Sequence, residues 1–181
     1  MADYRNVVAD STACISPSAG IIGSVEIGPR ASIFAGAQLR GDDGRQIVVG
    51  EDSNVQELAC IHVSPTSDTI IGKRVTIGHG AIVHGCTIED DTLIGMGAIV
   101  LDGAVIKSGC LVAAGALVTG GKTFPNNSLI MGSPAKAVRT LTDEEVDSMV
   151  KANAHGYLEV CGEMIEQGMM FHPGPDFCCQ I

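Results

Sequence analysis

A six-residue beat in the aliphatic residues leaves this chain very few folds to choose from. Aliphatic side chains fall at Ile15, Ile21, Ile27, Ile33 and Leu39, each six positions after the last. The beat resumes at Val49, Val55 and Ile61, and again at Ile71, Ile77 and Val83. After one five-residue step it continues through Ile88, Ile94, Val100, Ile106, Val112 and Val118. Neither a helix nor an alternating strand repeats every six residues over so long a stretch. A solenoid of very short strands joined by tight corners does. Each strand points one aliphatic side chain inward, and stacked coils bury a continuous column of them. Glycine often follows the inward position, as at Gly28, Gly50, Gly72, Gly78 and Gly95, where corners need backbone freedom.

Composition agrees with narrow, repeated layers. The 181 residues include 23 glycines and no tryptophan, whereas an ordinary core leans on large aromatic side chains. The length suits one domain. A net charge of -10 argues against nucleic acid as a partner, because phosphate binding needs clustered Lys and Arg. No run of 18 apolar residues suggests a membrane span, and Met1-Ala2-Asp3-Tyr4-Arg5 lacks the apolar segment of a signal peptide. Seven irregularly spaced cysteines give no disulfide framework, so cytoplasmic residence is the expectation.

The beat breaks twice. From Leu39 to Val49 and from Ile61 to Ile71 the step is ten, so about four residues are inserted each time. The inserts hold Gly41-Asp42-Asp43-Gly44 and Ser64-Pro65-Thr66-Ser67-Asp68, which are turn compositions. Inserted residues in a solenoid become surface loops, often at the working face. After Val118 the pattern fades. Thr142 with Glu145 three positions later predicts a capped helix start, and Val146, Met149, Val150, Ala154 and Leu158 give it an apolar stripe. The expected organisation is a β-solenoid over 1–138, a helix over 139–170 packed along its outer wall, and a flexible tail over 171–181.

The same count says where the histidines point. The inward residue is followed by one that faces out, so His62 and His84 face out after Ile61 and Val83. Those repeats are three apart and share a wall, one coil from each other. Arg40, after Leu39, lies on that wall below His62. Adjacent parallel strands are about 4.8 Å apart, close enough for two imidazoles to converge on one ion. His79 sits two places after Ile77 on the neighbouring wall, where Gln56 also lies. A corner separates it from the other two. It completes a three-histidine site only when one subunit's wall meets another's, and a trimer would hold three such sites. His155 and His172, outside the repeat, read as ordinary surface histidines.

The repeat resembles the hexapeptide-repeat family over roughly residues 9–135, which implies a left-handed parallel β-helix; the handedness comes from the resemblance alone, since ordinary crossovers are right-handed. Within that family the chain resembles the gamma-class carbonic anhydrases. The matching stretches are Leu39-Arg40-Gly41-Asp42, Ser53-Asn54-Val55-Gln56, Ile61-His62, Gly78-His79, Val83-His84-Gly85 and Leu93-Ile94-Gly95-Met96-Gly97. The resemblance implies zinc, or alternatively iron or cobalt, bound by His62 and His84 of one subunit and His79 of the next. It implies an intersubunit Arg40–Asp42 salt bridge, with Gln56 holding the hydroxide that attacks CO2 to give bicarbonate. An open fourth position on a metal held by three neutral imidazoles suits that chemistry, for which carbonic anhydrases are the standard example.

The chain departs from the family in one respect. Where founding members carry an acidic loop with a proton-shuttling glutamate, this chain has only Ser64 to Asp68. Asp43 and, more weakly, Glu57 are candidates for the proton work. Tyr157 on the expected helix is another, with simple packing as the alternative. Loss of the shuttle leaves slow turnover, redox-dependent turnover or none as open outcomes. Two rival readings stand beside this one. Gly132-Ser133-Pro134-Ala135-Lys136 resembles a segment of acetyl-CoA-dependent hexapeptide acyltransferases, which use one histidine as a general base. A metal-binding trimer with little or no catalysis is the other. Cys60, Cys86 and Cys110 read as small apolar residues among the coils, and Cys178-Cys179 as part of the mobile tail.

Overall fold

In the computed structural model, which describes residues 3–181, the chain winds as a left-handed parallel β-helix with one helical segment laid along its side. Every third strand stacks on the last. The result is three parallel sheets, of seven, eight and six strands, meeting at the corners of a prism. The inward residues stack in register: Ile15 on Ile33, Ile33 on Val55, Val55 on Ile77, Ile77 on Ile94 and Ile94 on Val112. All six are fully buried. Branched aliphatic side chains suit a pleated wall, and each coil hides the face that its neighbours would otherwise leave wet.

The corners show why glycine recurs. A Cβ on Gly50 would lie 2.3 Å from the Gly72 carbonyl oxygen, a backbone atom of the next coil. Gly80, beside His79, turns with φ of 65°, in the region that side chains disfavour. Both inserted segments lie at one edge and touch, since Gln46 donates its backbone N–H to Asp68 Oδ1 at 3.0 Å. Ser64 and Ser67 exchange backbone bonds, which closes the second insert into a tight turn.

The helix begins at the capping box expected from sequence. Thr142 Oγ1 accepts from Glu145 N at 3.2 Å, and Glu145 Oε2 accepts from Thr142 N at 2.9 Å. The helix then runs through Asp143–Glu145, a wide π-helical stretch Val146–Lys151 and Ala152–Glu166. The wide turn changes the predicted stripe. Val146, Val150 and Ala154 are buried four residues apart, while Met149 is displaced to the surface at 47% exposure. Val146 and Val150 pack with Leu141 over Leu93, Leu111 and Leu129, the outward row of one sheet.

Residues 171–181, expected to be loose, lie against the first coils. Phe171 bridges Ile15, Gln180 bridges Ile21, and Val7 donates to the Cys178 carbonyl. Phe171, Phe177 and Cys179 pack against the solenoid core. An open coil end would expose apolar side chains, so a covering segment there is physically reasonable. Cys86 and Cys110 are buried as expected, but Cys60 is exposed, because it precedes the inward Ile61 and so points out. Among the described residues no helix is long and apolar enough to cross a membrane.

Candidate metal centre

Two strands, Cys60–His62 and Ile82–His84, are stacked in parallel with His84 directly over His62. Arg40 in the strand Gln38–Gly41 lies below His62 in the same ladder. The rings meet: His62 Nδ1 and His84 Nε2 are 3.0 Å apart, with ring centroids at 4.9 Å. Thr69 holds both strand ends. Its hydroxyl donates to the His62 carbonyl at 2.5 Å and accepts from Gly85 N at 2.9 Å.

Each ring has a carboxylate on its far nitrogen. His62 Nε2 lies 3.0 Å from Asp42 Oδ1, and His84 Nδ1 contacts Asp102 Oδ1. Asp42 is buried and also pairs with Arg40 of the same chain. A carboxylate acceptor places the N–H on the nitrogen that faces it. In the neutral rings that leaves Nδ1 of His62 and Nε2 of His84 as bare lone pairs facing one another. Two lone pairs at 3.0 Å repel unless a cation or a proton lies between them. Histidine ligands bond zinc at about 2.0–2.1 Å and habitually give their second nitrogen to a carboxylate. These residues therefore fit a metal site, with two ligands supplied by one chain. Among the described residues, no cluster of three or more His, Cys, Asp and Glu side chains is arranged to hold an ion within one chain.

His79 stands at the corner after the strand Thr76–Ile77, on the adjoining sheet and half-exposed. Its Nδ1 lies 2.7 Å from Glu57 Oε2. That oxygen has no aligned hydrogen-bond donor, so the contact is close but poorly angled. Register explains the neighbours, since Val55 pairs with Ile77 and Gly80 N bonds the Glu57 carbonyl.

Gln56 is buried in a polar chain beneath the helix. Its Nε2 donates to Asn54 Oδ1 at 3.0 Å, Asn54 donates to Thr76 at 2.9 Å, and Thr76 donates to Asn153 Oδ1 at 3.0 Å. Tyr157 packs edge-on against Phe34 at 5.4 Å. Burial first, and the Glu57 carboxylate next, push its phenol above the usual tyrosine range, while a hydrogen bond with Gln56 pulls it back. Tyr157 is thus placed beside both Gln56 and Glu57. Asp43 is exposed, with φ of 54°, and borders a cavity of about 720 Å³ that Asp42 also lines. A second groove, of about 340 Å³, runs along the wall past Arg40, His62 and His84.

Asp102 and Thr69 were not anticipated from sequence. Asp102 follows the inward Val100, which stacks on Val83, so a count carried one coil further reaches it. Nothing in the sequence marks Thr69, which follows an insert. Asp102→Asn is expected to weaken binding of a divalent cation by roughly 10–100-fold, measured by competition with a chromophoric chelator. Unchanged affinity would remove Asp102 from the site.

A profile of the bacterial transferase hexapeptide (six repeats) family matches residues 85–120. A Methanocaldococcus jannaschii protein named "Probable carbonic anhydrase" is 51% identical over 146 residues, covering 81% of this chain and 91% of that one. "Gamma carbonic anhydrase 2, mitochondrial" of Arabidopsis thaliana is 41% identical over 162 residues, or 86% of this chain. The chain spans only 58% of that relative's length. "Carnitine operon protein CaiE" of Shigella flexneri is also 41% identical, over 86% of this chain and 78% of its own. Among solved structures, a hexapeptide transferase family protein from Anaplasma phagocytophilum superimposes with a TM-score of 0.81 at 43% identity, covering 87% and 92% of the two chains.

Proposed function

The chain belongs to the gamma carbonic anhydrase family, and from that premise we propose that it hydrates CO2 reversibly to bicarbonate at a metal held between subunits of a homotrimer. The facing lone pairs of His62 and His84, each ring anchored by a carboxylate, carry the reading. His62 and His84 would hold the ion with His79 of a neighbouring subunit, and zinc is the first candidate, ahead of iron and cobalt. When bound, such an ion supplies the Lewis acidity that lets a water give up its proton near neutral pH, the behaviour for which carbonic anhydrases are the standard example.

The chain's own residues supply the rest. Asp42 and Asp102 keep the rings in the tautomers that present bare nitrogens, and Thr69 fixes both strand ends. Arg40 neutralises Asp42. Gln56 has its amide N–H committed to Asn54, which aims its remaining acceptor and donor capacity rigidly. It would orient the attacking water. Tyr157 and Glu57 lie beside Gln56 and are the nearest groups for taking the proton away. Asp43 borders the cavity behind Asp42 and offers a second exit.

A hexapeptide acyltransferase is the competing reading, favoured by the transferase family name of the structural neighbour. It needs one general-base histidine and leaves the two carboxylate-anchored rings unexplained. Metal analysis with stopped-flow CO2 hydration separates the two. The expected result is about one ion per chain with measurable hydration, and a Gln56→Ala variant that keeps its metal but loses roughly 10–100-fold in kcat/KM. Metal-free protein that turns over acetyl-CoA would overturn the reading. Metal-loaded protein without hydration would reduce it to a structural clamp.

A further inference from the structure

Away from the histidines, a second reactive cluster joins the two ends of the chain. Cys14 lies in the first strand of its sheet, Cys161 lies in the last third of the helix, and His172 follows the helix in the closing segment. Both thiols are buried in one small cluster with Phe34 and Met170, with Tyr157 packed against it. Cys14 Sγ is 4.0 Å from His172 Nδ1, and that nitrogen is 2.8 Å from the Ala13 carbonyl. A carbonyl only accepts, so Nδ1 carries the proton and the ring turns its N–H edge toward the sulfur.

We propose that Cys14 and Cys161 are an oxidisable dithiol, with Cys14 the attacking sulfur and Cys161 the resolving one, whose disulfide fastens the helix to the first coil. The arrangement meets the chemical requirements. The thiolate is the nucleophile in such reactions. A hydrogen bond from the Cys161 thiol, aided by His172 nearby, pulls the Cys14 thiol down to about 7 against the opposing effect of burial. Donating that hydrogen bond and being buried push the Cys161 thiol up, so the proton stays on the resolving sulfur. The buried thiols Cys86 and Cys110 behave differently, since burial raises both, Cys86 to about 12. These two are inert by the same physics.

The co-reactant is a small peroxide. The Cys14 thiolate attacks one oxygen of hydrogen peroxide, the O–O bond breaks, and hydroxide leaves a sulfenic acid on Cys14. The Cys161 sulfur then attacks the Cys14 sulfur, an S–S bond forms, and water departs. The two sulfurs together lose two electrons and peroxide is reduced to two waters. Because the partners are 147 positions apart, the bond closes a loop of nearly the whole solenoid. A long loop is where a crosslink restrains the unfolded chain most. The inference stands apart from the metal, because neither sulfur belongs to the histidine site.

The test uses the full chain carrying Cys178→Ser and Cys179→Ser, which removes the adjacent pair that could also oxidise. After limited hydrogen peroxide, intact mass should fall by about two daltons and peptide mapping should recover a Cys14–Cys161 crosslink. Thermal unfolding should shift upward by roughly 5 °C or more, reversed by reductant. Adding Cys161→Ser should abolish the crosslink and the shift and leave Cys14 trapped by a sulfenic-acid reagent. Cys14 and Cys161 both remaining alkylatable, while other cysteines oxidise or none does, would overturn the proposal. So would sulfenic acid on Cys161 rather than Cys14.

Discussion

His79→Ala is expected to yield a folded protein that no longer retains its metal. Structural zinc sites are worth about 10–16 kcal/mol, so one of four ligand positions carries roughly 3–4 kcal/mol, or some 10²–10³-fold in affinity. His79 is half-exposed at a corner, and its one close contact is the poorly aligned Glu57 carboxylate. Little folding energy rests on it, so stability should hardly change. The decisive measurement pairs bound metal, after dialysis against a weak chelator, with CO2 hydration on the same sample. A variant that keeps full metal and full turnover would sink the shared site. His62→Ala should lose metal as well, though it also strands Asp42, whose buried carboxylate would then keep only Arg40 as a partner. His79 is therefore the cleaner probe of whether the neighbour completes the centre.

Ile77→Ala is expected to cost about 2–5 kcal/mol and to lower the unfolding temperature by roughly 5–15 °C. Ile77 is fully buried and sits between Val55 below and Ile94 above. A prism core one side chain wide cannot refill the gap from the flanks, because the neighbouring columns are held by their own ladders. The coil that loses contact is also the one that carries His79, so metal affinity should fall with stability. Met149→Ala, at a side chain 47% exposed, is the control and should stay within about 0.5 kcal/mol. Equal effects from the two would mean that the column is not the core.

Much of this was legible without coordinates. The period of six assigns each residue to the inside or the outside and to one of three walls. His62 and His84 therefore share a wall, with Arg40 below them, and the ladder pairs them that way. The helix start was legible from Thr142 and Glu145, whose reciprocal bonds need only local geometry. The stripe beyond it was misread at Met149, since a wide turn inside a helix leaves no mark in composition. Cys60 was misplaced for a simpler reason: it was taken by residue type, when its position before Ile61 already turned it outward.

What the sequence determined by itself is register, because burying one column of branched side chains permits only one winding. Tertiary structure alone decided which atoms meet. Asp42 reaches His62 across an inserted loop, Asp102 reaches back one coil to His84, and Thr69 ties both strand ends. The closing segment meets the first coils at Ile15 and Ile21, bringing His172 to Cys14. Those contacts depend on where loops and termini lie once the coils have stacked, and a repeat count ends where the repeat does.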